Sequence, residues 1–239
     1  MKTGFIGLGA MGGPMAANLH KAGQLHTAWN RTRERAAWAA QAGIELAPDP
    51  EALASECELI LTSVSDDAAL VEVIDRLRPK LGTGKVVVDT STISADTARV
   101  AARNLAEVDS AFLDAPVSGG VEGARKGTLA MMIGGDTTVL ERVQPVLSVL
   151  ASRITHIGPV GSGQAAKAVN QIMVAGINQS VSESLAFAQA LGLPMETLID
   201  VLSTGAASNW FLSNRGQNMV KQEYPPGFRV ALHYKDLRI

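Results

Sequence analysis

Short apolar runs alternate with amphipathic stretches through the first two-thirds of the chain, and then the runs stop. The first run, Gly4, Phe5 and Ile6, is followed by a glycine-rich turn. Residues 14–22 come next, with Met15, Leu19 and Ala22 at helical spacing. Extended segments are predicted at 25–29, 44–47, 58–64, 86–88, 111–114, 129–133 and 155–157. Of these, 58–64 (ELILTSV) and 86–88 read as strands buried on both faces. Helices are predicted between them at 31–42, from Asp49-Pro50 to about 55, at 67–77, at 95–106 with Ser94 as N-cap, and at 138–150. This alternation predicts a doubly wound, mostly parallel sheet of Rossmann type, an α/β fold. From Gly161 the strand signal is lost. Residues 163–191, rich in Ala, Val, Ile and Met, read as one long helix ended by Gly192 and Pro194, and 195–203 and 209–221 as two more. The expected division is 1–161 for a dinucleotide-binding domain and 162–239 for an all-α domain.

Composition narrows the class. Hydrophobic residues make up 46% and charged residues 18%, which is globular rather than disordered. The net charge is −2 with no basic stripe, so nucleic acid is not an expected partner. The single cysteine, Cys57, excludes an internal disulfide and fits a reducing compartment. Four scattered histidines show no metal-ligand spacing. No apolar run reaches the ~18 residues of a membrane span, and the N-terminus leads straight into a core strand. A cytoplasmic protein without a membrane partner is expected.

The turn after the first run is G-x-G-x-x-G: Gly7, Leu8, Gly9, Ala10, Met11, Gly12. A strand before it and a helix after it make the pattern informative. Gly7 allows the tight turn, Gly9 lets a pyrophosphate approach the backbone, and Gly12 lets the helix pack on the strand. The helix N-terminus then faces the phosphates. Asn30 falls 18 residues after Gly12, near where an NAD-selective fold carries an acid on the ribose 2′-hydroxyl. Instead, Arg31 and Thr32 offer a guanidinium and a hydroxyl suited to a 2′-phosphate, so NADP is expected over NAD. Residues 63–66 and 89–92 follow strand ends on the same expected side.

Two segments further on carry candidate chemistry. In 114–120, a strand runs into Pro116 and then Ser118, Gly119 and Gly120, a loop whose N–H groups and hydroxyl suit a carboxylate. Lys167 lies among alanines in a predicted helix, with Asn170 and Gln171 on the same face. Gly163, one turn earlier, is expected to leave space beside the ammonium. A lysine moves a proton near neutral pH only when its surroundings lower its pKa from ~10.4. Without such surroundings Lys167 is an ordinary solvated residue.

With these segments in hand, the chain resembles the β-hydroxyacid dehydrogenase family, which includes 3-hydroxyisobutyrate dehydrogenases, tartronate semialdehyde reductases and glyoxylate/succinic semialdehyde reductases. Four ordered motifs carry the resemblance: 5–23 (FIGLGAMGGPMAANLHKAG), 114–128 (DAPVSGGVEGARKGT), 161–171 (GSGQAAKAVNQ) and 228–237 (FRVALHYKDL). The resemblance implies that Val64, Ser65 and Thr92 join the first motif at the cofactor. It makes Ser118, Gly119 and Gly120 the substrate-carboxylate loop and Lys167 the catalytic lysine, with Asn170 or Gln171 orienting the substrate. Lys235 would close over cofactor and substrate. It implies a small carboxylate substrate and a homo-oligomer, dimer or tetramer. Many members have Asn-Asn where this chain has Asn170-Gln171, which resembles the tartronate semialdehyde branch. The 29–32 segment (WNRT) instead resembles NADP-using 3-hydroxyisobutyrate dehydrogenases. The chain stops within a motif that opens a further helix in the family, so the α domain is expected to be incomplete. A cofactor-binding module without turnover is the non-enzyme alternative.

Overall fold

The computed structural model describes residues 1–224 and 227–239. Two compact units divide it: Met1–Ala168 with Arg238–Ile239, and Val169–Leu237.

The first unit is built on β1 (Thr3–Ile6), with α1 (Gly12–Lys21) behind it and β2 (Thr27–Trp29) beside it. Then follow α2 (Ala37–Gln41), α3 (Pro50–Glu56), β3 (Leu59–Thr62), α4 (Asp67–Leu77), β4 (Val86–Asp89), α5 (Ala95–Ala106) and β5 (Ala111–Asp114). The unit continues through β6 (Val117–Ser118), α6 (Gly120–Lys126), β7 (Leu129–Gly134), α7 (Thr137–Leu147) and β8 (Ala151–Gly158). The sheet order is β2-β1-β3-β4-β5-β7-β6, with β8 pairing β7. Strands β2, β1, β3, β4 and β5 are mutually parallel, whereas β7 runs antiparallel to β5 and β6. The doubly wound, mostly parallel sheet is thus present.

Period-two alternation along the strands feeds two apolar layers. Phe5, Leu59, Leu61, Val86, Val88 and Leu113 face one cluster with Met15 and Leu19 of α1 and Val143 and Leu147 of α7. Ile6, Ile60, Val87 and Phe112 face the other, with Leu70 and Ile74 of α4 and Leu105 of α5. Local caps fix where several helices begin. Asp49, Asp66, Ser94 and Asp136 each accept an N–H from the first turn of α3, α4, α5 and α7. Such a cap contributes about 1 kcal/mol.

The second unit takes the larger part of α8 (Ser162–Ala190), together with α9 (Met195–Leu202), α10 (Trp210–Lys221) and α11 (Val230–Asp236). Its core is Val181, Leu185, Ile199 and Leu212. Asn209 caps α10 by accepting from Leu212 N–H.

Several expected bounds move. The helix expected at 31–42 is a 3-10 turn, Arg33–Ala36, followed by α2. Its first residues are committed elsewhere: Asn30 donates to the Thr32 carbonyl at 2.7 Å, and Thr32 is extended. The helix expected at 138–150 ends at Leu147, because Ala151 already enters the eight-residue β8. The loop read at 114–120 contains β6 and the first residue of α6, which runs on to Lys126.

Candidate cofactor and proton-transfer site

The parallel register aligns the last residues of five strands. Trp29 pairs with Ile6, Ile6 with Thr62, Thr62 with Asp89, and Asp89 with Asp114. Every segment that leaves this row therefore emerges at one carboxyl edge, where open α/β sheets bind ligands. Gly7 to Gly12, Val64-Ser65 and Thr92 all do so.

The glycine loop is held from β2. Gly7 N–H donates to the Trp29 carbonyl at 2.9 Å, and Leu8 N–H to Asn30 Oδ1 at 2.9 Å. Asn30 is thus a clamp between the loop and the residues Arg31 and Thr32. Gly7 has φ +95°, and a Cβ there would stand 2.1 Å from the Ser63 carbonyl oxygen. A Cβ at Gly12 would stand 1.8 Å from the Gly7 carbonyl oxygen. Gly9 differs: a Cβ there meets no protein atom within 4 Å. Nothing in the protein demands glycine at that exposed position, whereas a group lying against the loop would. Ala10 is exposed too, and Met11 half-buried. Helix α1 starts at Gly12 with no side-chain cap, unlike α3, α4, α5 and α7, and with no acid in its first turn, unlike α3, α4 and α5. That end suits a pyrophosphate. Beyond β2, Arg31 and Thr32 are exposed, and Arg31 pairs with Glu72 at 3.6 Å. Arg31 borders a cavity of about 270 Å³ that Trp29, Asn30, Arg33 and Arg76 also line.

The segments after β3 and β4 are tied together. Val64 N–H donates to Ser91 Oγ at 2.8 Å, and Ser91 Oγ donates to Asp89 Oδ1 at 2.6 Å. Thr62 Oγ1 donates to the same oxygen at 2.6 Å. Asp89 Oδ2 is buried without a hydrogen-bond partner. Burial pushes the Asp89 carboxyl up from 3.8 to about 6, against the hydroxyl donors and with the Asp114 charge adding to the rise. Between those two values the folded chain holds a proton that the unfolded chain releases, so stability falls as pH rises through that window. Asp89→Asn keeps the acceptor and removes the charge. It is expected to lower the unfolding free energy at pH 4 relative to that at pH 7.5 by about 2.5 kcal/mol, measured by urea denaturation. An unchanged difference would assign the titration to another group.

Asp114 does a different task. Its Oδ1 accepts from Gly161 N–H at 2.7 Å and its Oδ2 from Gln164 N–H at 2.9 Å, at the start of α8. Burial raises its pKa, and these N–H groups oppose the rise. Glycines make room for the carboxylate. A Cβ at Gly134 would stand 2.3 Å from Asp114 Oδ1, and one at Gly163 2.4 Å from the Met132 carbonyl oxygen. Gly163, expected to leave space beside the lysine ammonium, instead lets α8 approach β5 and β7. Lys167 follows one turn later and is 7% exposed.

Ser118 is half-buried at the end of β6, and Gly119 and Gly120 are exposed with φ +126° and +61°. The three residues form a strand-to-helix corner rather than an open loop. In the second unit, Gln171 is 2% exposed. It accepts from Asn170 Nδ2 at 2.8 Å and donates to Asp236 Oδ2 at 2.7 Å. Lys235 Nζ lies 3.0 Å from Asp236 Oδ1. The sequence reading assigned no role to Asp89, Gln164 or Asp236. Each supports a candidate residue through contacts that no local pattern marks.

Fold and loop define a dinucleotide-binding α/β protein. Residues 2–158 match the family model described as the NAD binding domain of 6-phosphogluconate dehydrogenase. Residues 161–239 match that of the NAD-binding domain of NADP-dependent 3-hydroxyisobutyrate dehydrogenase. The chain is similar to 2-hydroxy-3-oxopropionate reductase of Escherichia coli K12, 40% identical over 100% of this chain and 82% of the relative. Glyoxylate/succinic semialdehyde reductase 1 of Arabidopsis thaliana is 32% identical over 100% of this chain and 84% of the relative. Among solved structures, 3-hydroxyisobutyrate dehydrogenase of Mycobacterium tuberculosis with L-serine superposes with a TM-score of 0.88 at 33% identity. That match covers 99% of this chain and 84% of the other. The chain belongs to the β-hydroxyacid dehydrogenase family of oxidoreductases. Among the described residues no helix is long and apolar enough to cross a membrane, and no His, Cys, Asp and Glu cluster suits a metal ion.

Proposed function

We propose that the chain is an NADP-dependent β-hydroxyacid dehydrogenase with Lys167 as its proton-transfer group. The observation that carries this reading is a lysine 7% exposed on a helix whose first turn is bound to the carboxyl edge of the sheet. Lysines are rarely buried without a task. When bound, the nicotinamide exchanges a hydride with the carbinol carbon of the substrate. The residues of the chain supply the rest. Lys167 Nζ takes the hydroxyl proton in oxidation and returns it in reduction. Ser118, Gly119 and Gly120 hold the substrate carboxylate, and Asn170 or Gln171 orients the substrate. Lys235 contributes to cofactor and substrate binding. Arg31 and Thr32 take the 2′-phosphate, next to the cavity that Arg33 and Arg76 share.

The substrate is a small acid with a β-hydroxyl or its semialdehyde. 3-Hydroxyisobutyrate is the first reading, and tartronate semialdehyde (2-hydroxy-3-oxopropionate) the close alternative. The relatives divide in the same way as the motifs do, the E. coli reductase on one side and the M. tuberculosis dehydrogenase on the other. Glyoxylate and succinic semialdehyde follow from the plant relative. The reading also carries a cytoplasmic homo-oligomer, supported by exposed Val169, Ile172, Met173 and Phe187 on α8.

The test is steady-state turnover with NADP⁺ and NAD⁺, NADPH and NADH. The panel is 3-hydroxyisobutyrate, L-serine, glycerate, tartronate semialdehyde and succinic semialdehyde. Turnover with NADPH preferred is expected, and the best substrate selects the name. Cofactor binding without turnover on any panel member would favour the non-catalytic module. Arg31→Ala is expected to weaken NADPH about 10- to 100-fold while leaving NADH nearly unchanged, the loss of one charge-assisted contact. Equal effects on both cofactors would remove Arg31 from the 2′-phosphate.

A further inference from the structure

We propose that Gln164 is a positioning residue that couples the cofactor segment after β4 to the start of the lysine helix. Its effect on turnover rests on the dehydrogenase reading above. The side chain is 3% exposed and makes two opposite bonds to one stretch of backbone. Nε2 donates to the Ser91 carbonyl at 2.9 Å, and Oε1 accepts from Ile93 N–H at 3.2 Å. Those two residues flank Thr92. The backbone N–H of Gln164 is meanwhile held by Asp114. One residue therefore joins the ends of β4 and β5 to the first turn of α8, and Lys167 stands three residues on.

The primary amide supplies a donor and an acceptor at that spacing whatever the pH. Glutamate in its ionised form keeps the acceptor for Ile93 and loses the donor to Ser91. Protonated glutamate regains the donor. Leucine has the size and neither group. Burying the ionised glutamate costs stability in either role, so the coupling is read in the folded protein, from kcat and from exchange at 164–168.

Two measurements test the coupling. The first is amide hydrogen exchange with and without saturating NADPH. In the wild type, NADPH is expected to slow exchange both in 91–93 and in 164–168. In Gln164→Leu the protection at 164–168 should be lost while that at 91–93 remains. Equal protection of 164–168 in both proteins would overturn the proposal. The second is the kcat ratio of Gln164→Glu to wild type from pH 8.5 to pH 6. A deficit of about tenfold at pH 8.5, as for one unmade buried bond, is expected to shrink to about twofold at pH 6, with NADPH KM changing less than kcat. A ratio constant with pH would overturn it as well. Because the glutamate variant keeps the acceptor, it stands in if the leucine variant does not fold. If the wild type turns over no panel substrate, the dehydrogenase reading fails, and the exchange measurement still decides the coupling.

Discussion

Lys167→Ala is expected to lower kcat by ~10²–10⁴, the range for removing a general acid–base. Cofactor affinity should change little, because in the proposed mode the glycine loop and Arg31, not Lys167, hold the phosphates and the ribose. Helix propensity does not oppose the change. Alanine is the strongest helix former, and its neighbours Ala165, Ala166 and Ala168 already make this turn alanine-rich. Lys167→Arg separates charge from proton transfer, since guanidinium stays protonated throughout the accessible pH range. It should be as inactive as the alanine variant. Substantial turnover in Lys167→Arg, or a raised KM at unchanged kcat, would make Lys167 a binding group instead. Steady-state kinetics at fixed saturating NADPH gives both readings.

Gly12→Ala and Gly9→Ala should behave as opposites although they lie in one loop. At Gly12 the new Cβ has the Gly7 carbonyl oxygen at 1.8 Å and Phe5 Cε1 at 3.0 Å. The oxygen belongs to the backbone, so it cannot rotate aside. A loss of about 3 kcal/mol or more is expected, at or beyond the upper end for overpacked sites, and with it the cofactor site. At Gly9 the new methyl has no protein neighbour within 4 Å. The melting temperature should stay within about 2 °C, while NADPH affinity falls about tenfold or more, ~1.4 kcal/mol. Urea denaturation and fluorescence titration with NADPH measure the two effects independently. A Gly9→Ala protein that binds NADPH like the wild type would show that the pyrophosphate does not lie against that residue.

The legible parts of the molecule were those with local causes. Residues 67–77 and 95–106 read as helices, and α4 and α5 have those bounds, because Asp66 and Ser94 cap the first turns and apolar residues recur at helical spacing. Strands buried on both faces, such as β3 and β4, declared themselves as apolar runs. By contrast β8 lies largely exposed, so only 155–157 of its eight residues read as a strand. Strand β6 has two residues, and α6 opens on glycine. The supports of the candidate site were invisible for another reason. Gln164 meets residues 71 and 73 positions away, and Asp114 holds residues 47 and 50 positions away. Only the register of β4 with β5 brings these groups together.

That register also has a consequence in time. Synthesis of the sheet starts near its middle, with β1, which takes β2 on one side and β3 on the other. Strand β4 then joins β3, and β5 joins β4. Each addition finds an edge already made, and the crossovers from Leu59 to Val86 and from Val86 to Ala111 close loops of a few dozen residues. The entropy of closing such loops grows only slowly with length. A chain leaving the ribosome N-terminus first can therefore extend the sheet strand by strand. Once Asp114 has emerged, the whole row of strand ends from Trp29 to Asp114 exists in the nascent chain. The edge proposed to receive the dinucleotide is thus laid down before the helix bearing Lys167 has been translated.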